Sequence, residues 1–157
     1  SALAFYAPLL FATPRDGGAW TAGFEVIAIT GAALHLGLPT RPAVGRTLFA
    51  LALPVFGVLH FIYVDYVAFV IPGWIPAHRF WAYATGVAHI AGGVALLSGI
   101  QARLAAQLVA AMFGLWVLLL HLPRALAAFD QRGEWTSLFV AVAMCAASLR
   151  LIDTRRS

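Results

Sequence analysis

The sequence predicts an all-α membrane protein, a single bundle of five transmembrane helices. Three observations predict it. Hydrophobic residues make up 62% of the 157 residues and charged residues only 10%. Mean hydropathy is +0.90. Five apolar stretches approach the roughly 20 residues that a bilayer demands, each bounded by proline, glycine or charge. A soluble domain is nearer half apolar and a quarter charged. The surplus apolar surface here exceeds what a chain of this size can pack inside itself, so lipid is its natural solvent.

The elements follow in order. Ser1 to Ala12 is apolar but too short to span, and it lacks the basic leader of a signal peptide. It is expected to be either an interfacial segment or the tail of something trimmed away, within an N-terminal segment 1–18. After the breaker Thr13-Pro14-Arg15-Asp16-Gly17-Gly18, the first span is expected from about Ala19 to Leu38. The second runs from about Val44 to Tyr63, with Pro54 inside it as a kink site. The third, from about Arg79 to Leu97, follows the turn Ile71-Pro72-Gly73-Trp74-Ile75-Pro76. The fourth runs from about Ala102 to Leu122 and is expected to stop at Pro123. The fifth, from about Glu134 to Ile152, follows Asp130-Gln131-Arg132-Gly133. The connection 64–78 is the longest. It is expected either to extend the second helix or to lie flat in the interface. Residues 19–152 thus form one bundle domain, and 153–157 form a basic tail.

All ten basic residues are arginine and the formal net charge is +4. Alternating helix direction puts Arg41, Arg46, Arg103, Arg150, Arg155 and Arg156 on one side and Arg15, Arg79, Arg124 and Arg132 on the other. The positive-inside rule then places the C-terminus in the cytoplasm, across what is expected to be a bacterial inner membrane. Trp20, Tyr63, Tyr66, Trp74, Trp81 and Trp135 gather at the opposite surface, as an interfacial belt does. The arginines suit anionic headgroups, and no basic stripe with interleaved aromatics points to nucleic acid. The single Cys145 can form neither an internal disulfide nor a paired redox motif.

Ionisable side chains inside the apolar stretches are the candidates for function, because each needs a partner or a role in lipid. Glu25 falls about two turns into the first helix. His60 ends the second, with Asp65 just beyond. His89 lies about 15 Å down the third helix at 1.5 Å per residue, near the midplane. His78, Ala82, Thr85 and His89 share one face. His121 and Arg124 are a turn apart at the end of the fourth helix. Alternation brings Glu25, His60, Asp65, His89, His121 and Arg124 into one half of the membrane, whereas His35 falls at the other end. Such a cluster can relay a proton to a quinone or other lipophilic molecule, or bind a transition metal or haem through His60, His89 and His121. It can also simply tie helices together by hydrogen bonds. His78 and Asp65 suit interfacial or helix-capping roles. Gly86, Gly92, Gly93 and Gly114 suit close helix approach. The spacing contains no HxxH or HExxH pair, so no metal ligands are assigned.

Gly57-Val58-Leu59-His60-Phe61, the turn Ile71–Pro76, and Phe80-Trp81-Ala82-Tyr83-Ala84-Thr85-Gly86-Val87-Ala88-His89-Ile90-Ala91-Gly92-Gly93 together resemble the core of the DoxX-like membrane protein family. The resemblance covers about Arg46 to Ile152. It implies a four-helix bundle, here with an extra N-terminal helix carrying Glu25, and an association with membrane redox chemistry. The paired cysteines of some redox relatives are missing. On this reading Glu25, His60 and His89 are the catalytic candidates, with Glu25 and His89 handling protons. Trp74, Trp81 and Tyr83 line the ligand site with Asp65, His121 and Arg124. The alternatives are an accessory subunit that docks on a membrane partner or on its own copies, a metal or haem protein, and a lipid isomerase resembling the emopamil-binding class, with Glu25 as its acid.

Overall fold

The computed structural model describes residues 15–37 and 42–152. The apolar segment Ser1–Ala12, Arg41, and the tail 153–157 with Arg155 and Arg156 lie outside the described residues. All the regular structure described is helical. The elements are α1 (Gly17–Gly37), α2 (Pro42–Ile62), α3 (Val64–Val70), α4 (His78–Ser98), α5 (Ala102–Trp116), α6 (Leu122–Ala127) and α7 (Arg132–Ile152). A widened turn, Val117–His121, joins α5 to α6.

Among the described residues four helical stretches, against the five expected, are long and apolar enough to cross a membrane: Ala43–Ile62, His78–Ser98, Ala102–Ala127 and Arg132–Ile152; the expected first span, now α1, is not among them. Only 28–39% of each is buried inside the bundle, so internal packing does not account for their apolarity. Leu51, Val58, Val87, Val94, Leu108, Leu115, Leu118 and Phe139 all point outward. An exterior of this kind belongs to an integral membrane protein.

The helices close into a ring. α1 packs on α2, α2 on α4, α4 on α5, α5 on α7, and α7 returns to α1. Phe49, Leu53, Leu96, Val109 and Met144 fill the centre. Ser148, fully buried among them, donates to Met144 O at 2.8 Å, which satisfies its hydroxyl.

Two glycine contacts set the closest crossings. A Cβ on Gly31 of α1 would lie 2.7 Å from both Gly45 O and Phe49 N of α2. A Cβ on Gly57 of α2 would lie 2.6 Å from Gly86 O of α4. Backbone meets backbone at both places, as small residues permit between helices in lipid. Gly92 and Gly93 likewise take Val109 and the Pro54 ring against their bare Cα atoms, whereas Gly114 has ordinary room, with Cys145 Sγ 3.6 Å away.

The first helix begins at Gly17, two residues before the expected start, because the Asp16 carboxylate caps it. Asp16 Oδ1 accepts from Gly18 N at 2.9 Å and Ala19 N at 3.2 Å. Tyr63 then ties this start to the far end of α2, its hydroxyl donating to Arg15 O at 2.7 Å.

The connection after α2 bends at Tyr63 and forms the separate helix α3, which buries Val64 and Ala68 and exposes Tyr66 and Phe69. In the following turn Ile75 N donates to Pro72 O at 2.9 Å, and Ile71 and Ile75 fold inward. Ala77 closes this turn in the left-handed region, φ 58°.

The expected stop at Pro123 does not occur. Proline has no N–H and its ring collides with the carbonyl four residues back, so an ideal α-helix would break. Here the helix widens instead: Leu122 N donates to Val117 O, five residues back. The looser turn absorbs Pro123 and the helix continues to Ala127.

Candidate functional site

His60 and His89 come together. His60 sits on the last turn of α2 and His89 midway along α4, and their ring centroids are 4.9 Å apart. The contact follows from the glycine crossing, since a Cβ on Gly86 would lie 3.1 Å from the His60 Cβ. The bare Gly57–Gly86 interface lets α2 and α4 approach closely enough for the two rings to meet.

Each ring is anchored in the same way. Nδ1 of His60 lies 2.7 Å from Phe56 O, and Nδ1 of His89 lies 2.8 Å from Thr85 O. A carbonyl only accepts, so each Nδ1 carries the hydrogen and donates. Thr85 is held in turn, its hydroxyl donating to Trp81 O at 2.6 Å. Phe56 and Phe113 meet the His89 ring edge-on, at centroid distances of 6.0 and 5.5 Å. His89 is 4% exposed and cannot reorient without displacing them. The expected stripe on α4 is present, with Ala82, Thr85 and His89 all buried.

Neither Nε2 has a hydrogen-bond partner among the described residues. Among the described residues every side-chain nitrogen or oxygen that is fully sealed from solvent does have one. Both Nε2 atoms are therefore unpaired without being fully sealed.

The other expected site residues fall into separate places. Arg124 on α6 meets Glu134 on α7 through two parallel bonds, Nε to Oε2 at 3.0 Å and Nη2 to Oε1 at 2.6 Å. This fork-to-fork geometry clamps the two helices. His121, in the widened turn, lies within electrostatic reach of the pair. Asp65 pairs with Arg79 at 3.0 Å, but both side chains are largely exposed and the pair contributes little. Glu25 is half-buried on α1 and makes no hydrogen bond or ion pair with a described residue. Trp74 and Trp81 face outward. Tyr83 is also exposed and stacks on Phe61 at 5.9 Å, across the α2–α4 seam beside His60. Among the described residues no three of His, Cys, Asp and Glu gather as a metal site would require. Cys145 Sγ donates a weak hydrogen bond to Ala110 O at 3.4 Å, from α7 to α5.

Glu134, Phe56 and Phe113 belong to these arrangements and are not evident from spacing. The signal for Glu134 was an acid in the first turn of the last helix, opposite the only arginine at the end of the preceding one.

No curated protein and no solved structure matches the chain. Residues 49–153 match the family model for the domain of unknown function DUF8561, a span that takes in His60, His89, Arg124 and Glu134 and leaves Glu25 outside. The chain belongs to that family.

Proposed function

We propose that this is a five-span, DoxX-like membrane protein that binds a quinone-like lipophilic molecule at the His60–His89 pair. The observation that carries the reading is the pair itself. Two imidazoles lie 4.9 Å apart between two membrane helices, each anchored at Nδ1 and unpaired at Nε2. Intramembrane ionisable groups are costly, and here neither uses its second nitrogen to hold the fold. The stacked Phe61 and Tyr83 beside the seam offer aromatic surface of the kind a flat ring takes up.

The fifth span is α1. Its 21 residues reach about 31 Å at 1.5 Å per residue, which matches the hydrocarbon thickness. Its close packing on α2 supports the same reading. The bilayer is the protein's environment, and the end carrying His60 faces away from the cytoplasm by the arginine bias. Glu25 on α1 is then a second proton-handling group at that end.

The test is equilibrium titration of detergent-purified protein with decyl-benzoquinone and with the corresponding hydroquinone. The expected result is saturable binding of at least one form, weakened at least tenfold in His89→Phe with far-UV circular dichroism unchanged. Absence of saturable binding by either form refutes the reading. Stable co-purification of a second membrane protein alongside that result supports the accessory-subunit alternative.

A further inference from the structure

We infer that the histidine pair selects the hydroxyl-bearing, reduced form of its ligand over the carbonyl form. This rests on the proposed lipophile-binding reading and names which chemical state the site takes.

Hydrogen-bond sign fixes where the ring hydrogens sit. Phe56 O and Thr85 O can only accept, so the hydrogens of His60 and His89 sit on Nδ1. In the neutral ring Nε2 then presents a lone pair and no hydrogen. Both rings obey the same rule, so a pair with centroids 4.9 Å apart presents two acceptor nitrogens and no ring N–H beyond those already used. The Phe56 and Phe113 edges against His89 oppose a ring flip that would exchange the two nitrogens. The i−4 carbonyls would also lose their donors in such a flip.

Two fixed acceptors discriminate between ligands. A quinone offers only carbonyl oxygens, which are acceptors too, and would leave polar atoms facing each other unpaired in an apolar bundle. Leaving a buried polar group unpaired is more costly than a hydrogen bond is favourable. A hydroquinone, or another lipophilic alcohol or phenol, brings O–H donors and satisfies the lone pairs. A site built to hydrogen-bond a hydroxyl rejects the analogue that lacks it far more strongly than a greasy pocket rejects an extra group. Within the pair, the Nε2 atoms are the ring nitrogens left to make this choice.

Other parts of the molecule do not compete for this role. Arg124 is already forked onto Glu134. Asp65 and Arg79 are exposed and paired with each other. The apolar groove along Val87, Ala91, Val94 and Ser98 holds no charged group to orient a ligand.

Two measurements test the inference on the full chain in detergent micelles. The first compares dissociation constants for decyl-hydroquinone, held reduced under anaerobic conditions, and decyl-benzoquinone. The expected result is at least tenfold tighter binding of the hydroquinone, with the preference lost in His60→Phe and in His89→Phe. Equal or tighter binding of the quinone overturns the inference while leaving the binding site itself standing. No binding of either form overturns both. The second measurement needs no variant: nitrogen-15 spectra of histidine-labelled wild-type protein at neutral pH. Nδ1 protonated and Nε2 unprotonated in both rings supports the inference, and a hydrogen on Nε2 of either ring overturns it.

Discussion

Gly57→Ala is the most informative single change in the bundle. A Cβ there would stand 2.6 Å from Gly86 O and 2.5 Å from Ile90 Cγ1. Ile90 can rotate away, but a helix carbonyl cannot. Carbon and carbonyl oxygen tolerate about 3.3 Å between packed helices, so α2 and α4 must part by about 0.7 Å. That strain, with the packing lost along the seam, should cost about 1–3 kcal/mol. The same displacement moves His60 off His89. Gly86→Ala is the matched comparison. Its Cβ would meet Gly57 O at 3.2 Å and His60 Cβ at 3.1 Å, which needs shifts of only tenths of an ångström. Its cost should stay under about 1 kcal/mol. Reversible unfolding in mixed micelles, followed by far-UV circular dichroism, measures both. If Gly57→Ala is as stable as the parent, or if Gly86→Ala costs as much, the backbone contact does not set the α2–α4 approach.

Two further predictions concern stability. Arg124→Ala should destabilise the bundle by about 1–2 kcal/mol, because it removes both bonds to a partly buried Glu134 that is 21% exposed. A double-mutant cycle with Glu134→Ala in the same unfolding assay should return most of that as coupling, and additive losses would show that the fork does not clamp α6 to α7. Ala77→Gly should stabilise by about 0.5–1 kcal/mol, since φ 58° is uncomfortable for a side chain and open to glycine. A loss of stability in that variant would mean the Ala77 methyl packs usefully enough to outweigh its backbone strain.

The helices were legible because membrane spans announce themselves by length and apolarity. Boundaries moved by two residues or so, as at Gly17, where the Asp16 cap decides the start rather than the hydropathy. Pro123 was misleading for a physical reason. A proline ends an α-helix only if the helix keeps its i−4 pattern, and the five-residue bond from Leu122 to Val117 removes the conflict. The stripe His78, Ala82, Thr85, His89 was legible from helical periodicity alone. So was the expectation that glycines bring helices together, though not which ones. Gly57, a residue of the resemblance motif, makes the decisive contact, while Gly114 does not need to be glycine for space.

Partnership was harder to read. Alternating helix direction leads one to expect six ionisable residues in one half of the membrane, and a shared half is all it supplies. Which of them meet depends on how far each helix is rotated about its axis and which neighbours it has in the ring. Arg124 found Glu134, ten residues on, because α6 and α7 are joined by a tight turn. His60 found His89 because two glycines remove the side chains that would hold α2 and α4 apart. Glu25 joins neither pair.

The sequence by itself thus determined the apolar solvent of this protein, four helices long and apolar enough to span it, and the stripe along α4, whereas the fifth span was its expectation only. Each of these depends on composition and on a period of 3.6 residues, which are properties of one helix at a time. The tertiary structure alone decided that two histidines form a pair, that both turn Nδ1 to their own helix, and that both leave Nε2 unpaired. Those facts belong to the crossing of two helices, and a crossing is set by contacts between residues far apart in the chain.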